Sequence, residues 1–200
     1  MNIRQESIRR KTNEVDITGK LVIDGAGNYD ISTGFESLDH LLGLFAFHGL
    51  FDLTIKAKGD LRHHIVEDLG ISIGRAFKAA LGDYSGIKRY AASSLPMDEV
   101  LARVSLDLGG RDCFVWYAPL AKNDIKENLD LSCGDLRMFL EALTKNTKMN
   151  LFIEYLSACK EMDTHHLFEA IFKALGVALR QASSFDPLRK GVPSTKGIID

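Results

Sequence analysis

The sequence is short of cysteine, of long apolar runs and of net charge, and each shortage removes a class of protein. Its three cysteines, Cys113, Cys133 and Cys159, are odd in number, far apart and without a CxxC pair. That argues against a disulfide framework and a structural zinc knuckle, and no signature supports a catalytic thiol; structural thiols in a reduced, cytoplasmic setting are expected. No stretch approaches the roughly 18 consecutive apolar residues of a membrane span. The opening MNIRQESIRRKTNE is polar and mixed in charge, unlike a secretory signal. A formal charge of −2 over 200 residues gives no broad attraction to nucleic acid or to an anionic membrane. What remains, with 46% hydrophobic and 26% charged residues, is the composition of a globular protein, long enough for one large domain or two fused halves.

Periodicity supplies the elements. Val15, Ile17, Leu21, Ile23, Tyr29 and Ile31 alternate around the turn-like run Asp24 to Asn28, which predicts a β-hairpin over 13–33. Leu38, Leu41, Leu42 and Phe45 recur at helical spacing, a strand fits 50–57, and a helix fits 66–81 with Gly82 at its end. The second half repeats this order: strands near 87–92, 99–108 and 113–118, a helix over 135–143, a strand over 149–155 and a helix over 166–181. At an offset of 102 residues, His63, His64 and Glu67 fall on His165, His166 and Glu169, and Gly74, Ala76 and Lys78 on Gly176, Ala178 and Arg180. A repeat fixes architecture before any detail does. The expectation is an α+β fold, a two-layer α/β sandwich, duplicated as two β-β-α-β-α halves about a pseudo-twofold axis. The first half occupies 1–84 and the second 85–182, within a single structural domain. The turn-rich tail 183–200 reads as a mobile C-terminal loop.

The repeated element is HHxxE, seen as HHIVE and HHLFE. Residue frequencies put chance matches at about 0.01 per chain of this length, so an accidental pair would occur in roughly one chain in ten thousand. On a helix, positions i and i+4 share a face, so His63 with Glu67, and His165 with Glu169, can each grip one ion. His64 and His166 point about 100° away and would serve a second metal. Imidazoles with a carboxylate suit Mn, Fe, Co, Ni or Zn. The competing reading, helix-start histidines satisfied by backbone groups, is weakened by the shared register. His40 and His48 flank one helix, where a packed core histidine is the commoner outcome. Lys88-Arg89, Arg111 and Lys196 stand beside glycines, an arrangement that suits a small phosphorylated substrate as well as it suits ordinary surface charge. Asp98 and Glu99 in PMDE offer catalytic carboxylates or simply a strand-entry turn.

The stretches RKTNEVDI, STGFESLDHLL, FHGLFDL, GDLRHHIVEDLGISIG, ALGDYSGIKRY, PMDEVL, DLGGR, HHLFEAIFKALGVALR and VPSTKG, in that order, resemble the imidazoleglycerol-phosphate dehydratase family over nearly the whole chain. The resemblance implies two pseudo-symmetric halves, trimers assembled into a 24-mer, and two Mn²⁺ per subunit at subunit interfaces. It implies elimination of water from imidazole glycerol phosphate in histidine biosynthesis. Carried over residue by residue, it implies metal ligands at His40, His63, His64, Glu67, His165, His166 and Glu169. It implies substrate contacts at Glu14, His48, Arg89, Arg111, Ser194 and Lys196, with Glu14 and Glu169 as the proton-handling carboxylates and the tail as a substrate-closing loop. Two departures stand out. Phe152, in Leu151-Phe152-Ile153, occupies the place of a further ligand histidine, and Gly59-Asp60-Leu61-Arg62 makes an approach to His63 shorter by about three residues. They keep two alternatives open: a metal-dependent lyase or isomerase on another phosphorylated small molecule, and a non-catalytic metal-binding assembly protein.

Overall fold

A computed structural model describes residues 3–117, 125–126, 130–157 and 162–199. Cys159, the end of the strand expected at 113–118, and most of the linker before His165 lie outside them. The first half is β1 (Gln5–Lys11), β2 (Val15–Val22), β3 (Tyr29–Ser32), α1 (Glu36–Gly49), β4 (Asp52–Gly59) and α2 (Arg62–Leu81). The second is β5 (Tyr90–Met97), β6 (Val100–Asp107), β7 (Cys113–Tyr117), β8 (Ile125–Lys126), α3 (Cys133–Thr147), β9 (Asn150–Ser157), β10 (Met162–Asp163) and α4 (Thr164–Ser183).

Two four-stranded sheets, β1-β2-β4-β3 and β5-β6-β9-β7, have the same order and the same mixture of pairings. In each, the first three strands of the order are antiparallel and the last runs parallel to its neighbour. The α+β class and the duplication therefore stand, with corrections of detail. Each half is built on β-β-β-α-β-α, the second adding the short parallel pair β8 and β10: the polar-looking N-terminus forms β1, whose only buried side chain is Ile8. An edge strand with one buried residue carries almost no alternation to read. The hairpin expected over 13–33 does not form, because β4 inserts between β2 and β3; the true hairpin partner of β2 is β1. The strand placed near 87–92 begins only at Tyr90, Ile87 making a single bridge to Phe185.

Each sheet buries one face under its own helices, and the helices of the two halves meet in the middle, α2 against α3 and α1 against α4. The repeat positions Gly74 and Gly176 show why the halves fit. A Cβ on Gly74 would sit 2.7 Å from the Leu143 carbonyl oxygen, and one on Gly176 only 2.5 Å from that of Phe45. Backbone oxygens cannot rotate aside, so only glycine lets these helices approach so closely. The core thus runs through both helix layers, with Phe45, Phe51, Phe77, Phe139, Phe168 and Phe172 at its centre.

This packing carries the histidine motifs on the first turns of α2 and α4. Neither turn has an acidic side chain of its own. Asp163 caps α4 by accepting the His165 N–H at 2.8 Å, which fixes where the second motif starts.

Candidate metal centre and phosphate clamp

At the start of α4, His40 of α1 and His165 both direct Nε2 at one oxygen of Glu169, at 2.8 and 2.9 Å. The two rings lie 10° from parallel with centroids 5.7 Å apart. Lys173, one turn further on, donates to the other Glu169 oxygen at 2.5 Å. Glu169 is buried; burial pushes its carboxyl up, but the bonds from Lys173 and His40 outweigh that and leave it below the usual carboxylate range. Two imidazole nitrogens and a carboxylate oxygen gathered within 4.8 Å form a donor set that fits a borderline divalent cation. His40 is therefore no packed core histidine: it is exposed and faces Glu169. His48, half-buried, lies close enough to feel both Lys173 and Glu169.

His166 points elsewhere. Its Nδ1 lies 2.8 Å from Glu99 and its Nε2 lies 3.3 Å from Asp98, in a second group of potential ligands. In the first half, His64 has Nδ1 on Asp60 at 2.7 Å and Nε2 facing Glu14 at 3.9 Å. The His63 ring lies against that of His64, and both His63 and Glu67 are exposed. Among the described residues, neither His63 nor Glu67 joins a group of three potential ligands. One chain does not bring the two HHxxE elements into a common shell.

The basic residues form a third group. Arg89 donates Nε and Nη2 to the two Asp107 oxygens at 2.6 and 3.0 Å, and Nη1 to the buried Pro193 carbonyl at 2.8 Å. It thereby ties down the tail just before Ser194, whose hydroxyl accepts the Lys196 N–H at 3.2 Å. Asn150, opposite Asp107 in the sheet, donates to the Arg111 carbonyl at 3.3 Å. Arg111 and Lys196 are exposed. Arg89 is thus engaged with a carboxylate and the tail, whereas Arg111 and Lys196 face solvent. Phe152 belongs to this end of the second sheet. It is 49% exposed on the outer face and shares a cavity of about 440 Å³ with Tyr90, Ser105, Asp107 and Asn150, so it is not a core residue.

The separation between these groups is set by α4. The Arg89 N–H bonds the Ala182 carbonyl at the far end of the helix from His166. At about 1.5 Å per residue, the sixteen-residue step along α4 from His166 to Ala182 places Arg89 about 24 Å from His166.

The family model for imidazoleglycerol-phosphate dehydratase matches residues 33–179. A relative of that name from Thermoanaerobacter is 46% identical over 200 residues, covering 98% of this chain and 100% of that protein. The chain belongs to the imidazoleglycerol-phosphate dehydratase family. Crystal structures of that enzyme from Pyrococcus furiosus and Staphylococcus aureus superpose with TM-scores of 0.79 and 0.78 at 33% identity. They cover 96% and 92% of this chain and 99% and 100% of theirs. Members of the imidazoleglycerol-phosphate dehydratase family are dehydratases, that is, hydro-lyases.

Sequence reasoning missed several residues at these groups. Lys173 stood unnoticed although it lies four residues after Glu169, the spacing of a helical ion pair. Asp60 was visible only as part of a shortened loop, and Asp107, though part of the DLGGR stretch, gave no sign of its partner, because Arg89 lies across a sheet pairing. Asp98 and Glu99 form the tight turn of the β5–β6 hairpin, with Asp98 at φ +46°, yet their carboxylates also reach His166.

These contacts set a pH dependence. The Asp60 hydrogen bond raises the His64 pKa, and the Glu99 bond raises that of His166. A group raised on folding contributes stability that is complete below its unfolded value, about 6.5 for histidine, and is lost as pH rises through its folded value. His48, lowered first by burial and then by Lys173, works in the opposite direction. With two groups raised against one lowered, the metal-free protein is expected to melt higher at pH of about 6 than at about 8. Bound divalent metal should reverse the order, because protons must leave before imidazole can ligate. Melting curves at both pH values, with and without Mn²⁺, check this; a metal-free protein that melts higher at the alkaline value contradicts it.

Proposed function

We infer that the chain is an imidazoleglycerol-phosphate dehydratase that uses Mn²⁺ to eliminate water from imidazole glycerol phosphate, giving imidazole acetol phosphate in histidine biosynthesis. The observation that carries the metal part is the convergence of His40 and His165 on one Glu169 oxygen. His40, His165 and Glu169 would hold one Mn²⁺, and His166 with the other motif's His63, His64 and Glu67 would supply the remaining ligands. When bound, Mn²⁺ supplies Lewis acidity toward the imidazole ring of the substrate. Glu14, exposed beside His64, would accept the substrate's non-acidic proton, with Glu169 as the second carboxylate able to carry one. Lys173, by neutralising one oxygen of Glu169, leaves the other for His40 and His165 to share. Arg111, Ser194 and Lys196 form the phosphate clamp, with Arg89 as the post that holds the tail against it. His48 would contact substrate near Lys173.

Arg89 and His166 of one chain are too far apart to serve one small molecule, so a working site takes the clamp and the second motif's histidines from neighbouring copies. That favours the homo-oligomer expected from the family, trimers in a 24-mer. Phe152 would then affect a shell completed by a neighbour, lowering it by one ligand and leaving two metals of unequal affinity. The second half, 85–182, supplies the clamp's base and the tail, 183–200, closes it over the phosphate. No described helix is long and apolar enough to cross a membrane, and we place the reaction in the cytoplasm. Retention of Arg111, Ser194 and Lys196 favours the dehydratase over a non-catalytic assembly protein, which has no use for a phosphate clamp.

Metal per chain and turnover of imidazole glycerol phosphate by protein stripped and reloaded with Mn²⁺ test the reading. Loss of activity on stripping and its return on reloading are expected. Metal binding without turnover of this substrate would instead support the altered-substrate or assembly readings.

A further inference from the structure

We propose that Asp60 and Glu99 are positioning residues for the metal centre, each holding the Nδ1 of the second histidine of an HHxxE element so that only Nε2 is left to face the ion. The proposal rests on the reading that these elements bind metal, and it adds two residues that lie outside the repeat.

A carboxylate accepts a hydrogen bond, so the Asp60 contact to His64 Nδ1 at 2.7 Å and the Glu99 contact to His166 Nδ1 at 2.8 Å put the proton on Nδ1 in each neutral ring. The lone pair is then on Nε2, the tautomer a metal-facing imidazole needs. What lies in front of each Nε2 supports a cation there: Glu14 at 3.9 Å from His64, and Asp98 at 3.3 Å from His166. Both holding carboxylates are themselves fixed. Asp60 accepts the Leu61 N–H at 2.7 Å, and its own N–H bonds the Glu14 carbonyl at 3.0 Å. Glu99 accepts the Asp163 N–H at 3.1 Å, tying the hairpin turn to the residue that caps α4.

The two contacts are not inherited from the duplication. At the offset that superposes the histidines, Asp60 falls on Met162, which is buried and apolar, so the second half cannot use the same device. It reaches the same contact with Glu99, from the turn between β5 and β6. Two unrelated positions converging on one atom of equivalent histidines point to a demand made by the site. On this view the short Gly59-Asp60-Leu61-Arg62 approach is an adaptation, since it sets Asp60 four residues before His64, at the start of α2.

Calorimetric titration of metal-free protein with Mn²⁺ tests this, with Co²⁺ as a second probe whose visible bands report ligand geometry. Asp60→Ala and Glu99→Ala are each expected to weaken Mn²⁺ binding by about 10–100-fold and to alter the Co²⁺ bands. At a pH of about 8, where neither histidine carries the charge that its carboxylate stabilises, the melting temperature of the metal-free protein should stay close to the parent's. Asp60→Asn and Glu99→Gln keep an oxygen that can accept from Nδ1, and each should recover part of the lost affinity. Alanine variants that bind Mn²⁺ as tightly as the parent overturn the proposal. So does a drop in metal-free melting temperature that tracks the affinity loss and is not relieved by Asn or Gln, which marks a merely structural contact. A parent that binds neither Mn²⁺ nor Co²⁺ instead sinks the metal reading itself.

Discussion

A chain carrying His64→Ala together with His166→Ala is expected to lose most of its bound Mn²⁺ and at least about 1000-fold of its dehydratase activity. Metal-ion catalysis contributes several kcal/mol of transition-state stabilisation, and each 1.4 kcal/mol or so is tenfold in rate. The fold should survive. Both rings are partly exposed and neither lies in the core; the pair of His64 with Asp60 opens to solvent, where such pairs contribute about 0–1 kcal/mol, and that of His166 with Glu99 is partly buried. His40, His165 and Glu169 are untouched, so a residual ion on that group is compatible with the outcome, but a second is not. Elemental analysis, circular dichroism and a coupled assay on one preparation separate the possibilities. Two ions per chain retained by a folded double variant would remove His64 and His166 from the metal centre.

Much of the architecture was legible because duplication writes the same information twice. The register that aligned the histidines also aligned Gly74 with Gly176, and both glycines prove to be points of close helix approach. All four long helices have apolar stripes strong enough to place them, α3 (Cys133–Thr147) around the expected 135–143 included. Strand pairing was less legible, since alternation says which face is buried and nothing about which strand lies alongside. Tyr29 and Ile31 alternate in phase with β2, yet pair with β4 instead. The site followed the same division. Histidines and glutamates at helical spacing announced themselves, and the resemblance named candidates for a phosphate clamp. Contacts across the fold did not: Arg89 with Asp107, Glu99 with His166, and Asp60 with His64 join segments whose proximity only the folded chain creates, or whose loop looked like a deletion.

The roughly 24 Å between Arg89 and His166 leads to the prediction with the sharpest contrast. Take one chain disabled at the clamp by Arg111→Ala and a second disabled at the metal centre by His166→Ala. Each alone should be nearly inactive. If a site joined both groups within one chain, every mixed assembly would remain inactive, because each chain carries one defect. If instead the clamp comes from one copy and His166 from its neighbour, random equimolar assembly makes both contributors intact in about one quarter of sites, as the symmetry of a shared interface requires. Co-expression, or dissociation and reassembly of mixed chains, should therefore restore about one quarter of parental activity from two inactive parents. Arg111 and His166 suit the experiment because both are at least partly exposed and neither lies in the core. Mixing must be confirmed by differently tagged chains copurifying. Copurified mixed assemblies without activity would place clamp and metal centre in one chain after all, and would require the tail or α4 to rearrange far from the geometry seen here. A recovery near one quarter makes the oligomer a condition of catalysis, since an isolated chain would hold every residue of the site and no complete copy of it.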